Sequence, residues 1–151
     1  VHYGGRCSGF ANGTGTIEES KVDGHWKSIQ HIGAFQDYRF GLVMENTKLN
    51  GYITEKMANA YFSGTVPIWY GTREVFDVFS ERSFIFYDID DPQQYLDRII
   101  YLEKNQTAYD EILNEPILAN GDQTIEDYFS LRDDVGGGKL KKRIRNMLGY
   151  E

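Results

Sequence analysis

A single cysteine, Cys7, stands in 151 residues, so neither an internal disulfide nor a cysteine-built zinc site can form within this chain. Prolines number only 3 while aromatics reach 15%, which excludes wholesale disorder and low-complexity character. Nothing approaches the roughly 18 consecutive apolar residues that a membrane-spanning helix requires. Cations are in deficit: 16 Lys and Arg against 23 Asp and Glu leave a formal charge of −7. That balance opposes general nucleic-acid binding, which needs positive charge against phosphate. The three histidines, His2, His25 and His31, show no helical pairing and no cysteine partners, and read as loop or surface residues. No internal repeat is visible. The chain opens on Val1 without a recognisable leader, and is expected to be a fragment of something longer.

What is present alternates between two kinds of local pattern. Residues 1–34 carry seven glycines and little periodicity, and read as a loop-rich lead-in. Tyr38 to Glu45 is strand-like, and the polar stretch from Asn46 to Gly51 is a loop. Thr54 is placed to cap a helix through Phe62, with Met57, Ala60 and Tyr61 on one face. Gly64 stops it, and a buried strand runs from Thr65 to Gly71. A helical turn is expected at Arg73 to Phe79, a third strand at Ser83 to Asp88, and a helix opened by Pro92, with Asp91 as its cap. Further helices are expected at Thr107 to Leu113 and Thr124 to Leu131. Residues 132–151 read as a Gly-rich linker and a basic amphipathic helix bearing Leu140, Ile144, Met147 and Leu148 on one face. Its run from Lys139 to Arg145 has five cations in seven residues, suited either to an anionic surface or to the solvated back of a terminal helix.

This alternation implies an α/β fold with a mostly parallel sheet covered by helices on both faces. In such sheets ligands sit beyond the carboxyl ends of the strands. That rule selects two loops: the one after Glu45, leading to Thr54, and the one around Tyr70 to Thr72. Lys56 in a first helical turn is electrostatically out of place unless an anion meets it. Backbone N–H groups there suit a diphosphate, Glu55 can accept from vicinal ribose hydroxyls, Tyr52 can stack on a base or sugar, and Asn46 offers a donor and an acceptor. The plain alternative is a cap, a dipole-favouring acid and a solvated lysine. Asp88, Ile89 and Asp90 resemble a metal-binding Asp-x-Asp, but their place beside a helix start favours capping. Cys7 has no neighbouring base and reads as a buried or externally paired thiol.

The ordered motifs resemble those of the α1,3/α1,4-fucosyltransferases, glycosyltransferase family 10. They are Tyr38-Arg39-Phe40, Glu45-Asn46-Thr47, Gly51-Tyr52-Ile53-Thr54-Glu55-Lys56, Gly64-Thr65-Val66-Pro67-Ile68, Gly71 and Ser83-Phe84-Ile85. The opening Tyr3-Gly4-Gly5-Arg6-Cys7 is similar to a segment of eukaryotic members. The resemblance covers about residues 1–118. It implies the Rossmann-like C-terminal half of a two-domain GT-B transferase, with residues 1–151 forming an incomplete GDP-fucose-binding domain. It also implies inverting transfer of L-fucose from GDP-fucose to an N-acetylglucosamine or glucose hydroxyl of a glycan, with no metal required. Donor-binding residues by the match are Asn46, Tyr52, Thr54, Glu55 and Lys56, with Glu45, Tyr70 and Gly71 as further donor-loop positions and Trp69 beside them.

The family's phosphate-binding arginine and its catalytic base belong to segments ahead of Val1, so no catalytic residue is assigned in this chain. The chain alone is expected to bind donor weakly and not to turn over. Two other readings are a non-catalytic nucleotide-sugar-binding module of the same fold and a transferase using another nucleotide sugar. The resemblance, with sequons at Asn12 and Asn105, implies the Golgi lumen, anchored by a segment outside this chain; a bacterial member would be cytoplasmic.

Overall fold

The computed structural model describes residues 35–134 and 138–150. Three parallel strands lie in the order β1 (Phe40–Met44), β2 (Val66–Tyr70), β3 (Ile85–Phe86). Phe40 pairs with Val66 and Met44 with Tyr70, while β3 adds only Ile85 and Phe86 against Ile68 and Trp69. Between the strands come α1 (Lys56–Phe62) and the single turn α2 (Val75–Val78); after them follow α3 (Gln93–Lys104) and α4 (Gln106–Leu113). The short α5 (Asp122–Thr124) runs into a π-helical turn at Ile125–Phe129, and α6 (Lys139–Met147) is the last helix.

Helices cover both faces of the sheet, as the sequence pattern implies. On one face Val43 and Trp69 pack with Met57 and Ala60 of α1 and Val75 and Val78 of α2. On the other, Val66 and Ile85 meet Leu102 of α3 and Ala108, Tyr109 and Ile112 of α4. Side chains alternate across a strand, so Val66 and Ile68 join one cluster while Trp69 joins the opposite one. Gly64 ends the α1 turn at φ +73°, a left-handed conformation that side chains resist.

The second face is pinned by a residue the sequence reading left without a role. The Arg39 guanidinium donates to the Leu102 carbonyl at 3.0 Å and to Gln106 at 2.6 Å, pairs with Glu103 at 3.2 Å, and lies 3.9 Å over the Tyr109 ring. The Tyr109 hydroxyl in turn donates to the Arg39 carbonyl at 2.7 Å, and burial raises its pKa above the ordinary phenol range. Arg39→Met keeps an aliphatic stem but loses these polar ties; an unfolding free energy lower by about 1.5–3 kcal/mol is expected from denaturant titration.

Several boundaries differ from expectation. α3 has Pro92 at its N-cap position with no side-chain cap; Asp91 instead accepts from the Gln94 side chain at 3.3 Å, so the capping role predicted for Asp91 is corrected. Pro92 takes the N-cap place itself, which leaves Asp91 one residue outside the helix. α4 begins one residue earlier than predicted because Asn105 caps it, its Oδ1 accepting from the Ala108 N–H at 3.0 Å. The sequon asparagine therefore serves the backbone. The helix predicted to reach Leu131 ends at Phe129. In α6 the predicted apolar face is not buried: Ile144, Met147 and Leu148 are exposed. The helix instead touches the π turn through Lys139 and Asp127, with Lys141 against Asp133. The predictions about residues 1–34, including Cys7, the histidines and the Asn12 sequon, lie outside the described residues.

Candidate functional site

The strand–loop–helix unit that positions the candidate residues follows from two turns of chain chemistry. β1 ends at Met44, and Glu45 continues its alternation, joining Gly41 and Val43 on the buried face. The Glu45 N–H still donates to the Tyr70 carbonyl at 3.1 Å, extending the ladder one residue. A polar loop then reaches Gly51 at φ +72°, and Tyr52 closes a turn by donating its N–H to the Leu49 carbonyl at 3.0 Å.

Thr54 does not cap α1. Glu55 occupies the N-cap position without a side-chain cap bond, because the Thr54 hydroxyl and N–H both donate to Glu45 Oε1, each at 2.8 Å. Lys56 is likewise not a free cation awaiting an anion. Its ammonium donates to the Met44 carbonyl at 2.8 Å and to Glu45 Oε2 and Asn46 Oδ1, each at 3.1 Å. The Lys56 side chain keeps 31% of its exposure, whereas that of Glu45 keeps 1%. The anion that meets the misplaced lysine is thus supplied by the chain itself. Strand alternation, which puts position 45 on the face of Val43, was the signal for burying Glu45.

Glu55 and Lys56 share a hollow of about 330 Å³ along the outer edge of β1, lined also by Met44, Asn59 and Ala60. Thr54 and Glu55 face a second, larger cleft of about 820 Å³ with mostly apolar walls, bounded by Tyr61, Phe79, Phe129 and Arg143. Tyr61 is half-buried there and donates to Ser83 at 2.7 Å, its own hydroxyl being the free donor since Ser83 donates to the Ser80 carbonyl at 2.8 Å. Burial pushes the Tyr61 phenol far up.

Of the predicted residues, the structure brings Thr54 and Lys56 onto Glu45, with Asn46 on the Lys56 ammonium and Glu55 beside Lys56 in the smaller hollow. Tyr52 is exposed and lines neither cleft. Trp69 is fully buried, its indole N–H donating to the Thr72 carbonyl at 3.1 Å, so its predicted approach to a ligand is corrected. Gly71 has a packing reason: a Cβ there would stand 2.5 Å from the Trp69 ring. Tyr70 is half-buried at the strand end, with the Lys48 ammonium 6.0 Å over its ring.

Sequence reasoning missed a third polar hollow between the two selected loops, lined by Lys48, Asn50, Thr72, Arg73 and Glu74. Among the described residues, no group of three or more His, Cys, Asp or Glu is placed to hold a metal ion. Asp88 instead accepts from the Asp90 N–H at 3.1 Å, a local turn.

The family model for glycosyltransferase family 10 (fucosyltransferase), C-terminal region, matches residues 4–114. The α-(1,3)-fucosyltransferase of Helicobacter pylori is 40% identical over 79 residues, covering 52% of this chain and 16% of that protein. The α-(1,4)-fucosyltransferase of Arabidopsis thaliana is 33% identical over 84 residues, 56% of this chain and 21% of that one. A crystal structure of an α1,3-fucosyltransferase with GDP-fucose matches with a TM-score of 0.52 at 33% identity, covering 66% of this chain and 29% of the other. The chain thus spans well under a third of the length of these relatives.

Proposed function

Because the chain belongs to glycosyltransferase family 10, the fucosyltransferases, we propose that it forms most of the donor-binding part of a longer transferase. That transferase moves L-fucose from GDP-fucose to a hydroxyl of N-acetylglucosamine or glucose in a glycan, with inversion. The observation that supports this most is the meeting of Glu55 and Lys56 on one hollow along the outer edge of β1, with Asn46 on the Lys56 ammonium. An acid and an ammonium side by side suit a nucleotide sugar: one accepts from hydroxyls, the other donates to the diphosphate.

In the transfer, negative charge grows on the departing GDP. An ammonium held at the rim of that hollow, which exchanges its exposed Asn46 contact for a phosphate oxygen, stabilises the developing charge. Lys56 supplies it, Glu45 and the Met44 carbonyl keep it in place, and Glu55 holds the donor. The hollow lies against β1, whose outer edge has no strand partner among the described residues. We assign the remaining phosphate contacts, and the base that takes the acceptor proton, to parts of the protein upstream of this chain. The same reading places the protein in the Golgi lumen, anchored from outside this chain.

The test is thermal protection by nucleotides. In the whole protein that carries this chain, GDP is expected to raise the melting temperature by several degrees at about 100 times its dissociation constant, an effect of about 2.7 kcal/mol. UDP and CMP are expected to give no shift. Protection by UDP and not by GDP moves the protein to another nucleotide sugar. Protection by GDP without fucosyl transfer makes it a non-catalytic binding module.

A further inference from the structure

We infer that Glu45 is a positioning residue of the donor site, acting through Lys56; the inference rests on the donor reading above. Its carboxylate is too enclosed to touch a ligand, with 1% of the side chain exposed. A carboxylate withdrawn from water persists only where donors and a cation surround it. Here the Thr54 N–H and hydroxyl donate to Oε1 at 2.8 Å, while Lys56 donates to Oε2, which the Thr54 hydroxyl also approaches at 3.1 Å. The residue is also tied into the sheet through its N–H on the Tyr70 carbonyl at 3.1 Å. It therefore joins three elements at one point: the end of β1, the end of β2 and the entry to α1.

The consequence falls on Lys56. An ammonium on a four-carbon stem has free rotation unless its partners are fixed. It has three N–H groups, and the Met44 carbonyl, Glu45 and Asn46 offer three acceptors. Asn46 is exposed and the Met44 carbonyl is neutral, so Glu45 is the one buried, charged anchor. It holds the ammonium at the rim of the hollow that Glu55 also lines. A diphosphate arriving there then takes the place of one contact, that of the exposed Asn46, while Glu45 keeps the ammonium in position.

Glu45→Gln separates this role from simple packing. The glutamine keeps the shape and can still accept from Thr54 through its oxygen. Its NH₂ group, however, replaces the oxygen that faced Lys56, so donor meets donor and the ammonium is displaced. In calorimetric titrations of the whole protein with GDP, Glu45→Gln is expected to weaken binding on the order of tenfold, the size of one charge-assisted contact. In a Lys56→Ala background the same substitution is expected to change GDP affinity less than twofold, since the residue it acts through is gone.

Wild-type affinity in Glu45→Gln alongside a weakened Lys56→Ala overturns the positioning role. So does tighter binding by Glu45→Gln, or an equal loss in both backgrounds. Wild-type affinity in Lys56→Ala instead takes down the donor reading itself, which makes the two failures distinguishable. Should Glu45→Gln not fold, Glu45→Asp is read through the same pair of backgrounds: a loss confined to the Lys56 background supports the role, and an equal loss overturns it.

Discussion

Replacing Trp69 by alanine is expected to lower the melting temperature on the order of 10 °C. The indole is fully buried and belongs to the cluster formed by Val43, Met57, Ala60, Val75, Val78, Phe79 and Phe84. Removing so large a ring costs about 3–5 kcal/mol, from lost transfer free energy plus the cavity left behind. It also leaves the Thr72 carbonyl without the indole N–H that it now accepts at 3.1 Å. A domain of this size moves roughly 2–4 °C per kcal/mol. Gly71→Ala attacks the same packing from the other side. Its Cβ would lie 2.5 Å and 2.8 Å from two ring carbons, and overfilling such a site costs about 1–3 kcal/mol. The ring cannot retreat freely because its N–H is tied to the next turn. Thermal melts followed by circular dichroism check both, and a shift below about 3 °C for Trp69→Ala contradicts the core described above.

The second large effect is on ligand affinity. Lys56→Ala is expected to weaken GDP binding about 10- to 150-fold, equivalent to the roughly 1.5–3 kcal/mol of a charge-assisted contact to phosphate. The substitution has a structural side too. It removes the cation from a carboxylate whose side chain is 1% exposed, leaving only Thr54 to satisfy it. Fully buried pairs lose about 3–5 kcal/mol in this way. Lys56 itself is 31% exposed, so a stability loss of about 1–2 kcal/mol is expected after solvent screening. Titration calorimetry on protein verified as folded separates the two: unchanged GDP affinity removes Lys56 from the donor phosphates.

The sheet and its helices were legible because their signals are local. Short apolar runs marked β1 and β2, Gly64 marked the end of α1, and Pro92 marked the start of α3. What stayed illegible depends on distance through space. Arg39 and Tyr109 are 70 residues apart along the chain, and no spacing rule joins them. β3 shrank to Ile85 and Phe86, since its length depends on a partner rather than on propensity. Within the site, the grouping of Asn46, Glu55 and Lys56 was readable from residue type and motif order. Thr54 was misassigned because a cap and a carboxylate compete for the same hydroxyl, and sequence shows only one of the two. Trp69 was misread for a related reason: position at a strand end says where a ligand could lie, but not which face the side chain takes.

Among the described residues, no strand pairs with the outer edge of β1, and Leu42 and Met44 of that strand are 60% and 44% exposed. Such a margin is adhesive: extended segments of other molecules can zip onto it, and Lys56, whose ammonium donates to the Met44 carbonyl at 2.8 Å, guards only its carboxyl end. Handling this stretch by itself in concentrated solution therefore sets mutual repulsion from its surplus acids against self-association along that rim, and added salt tilts the contest toward clumping.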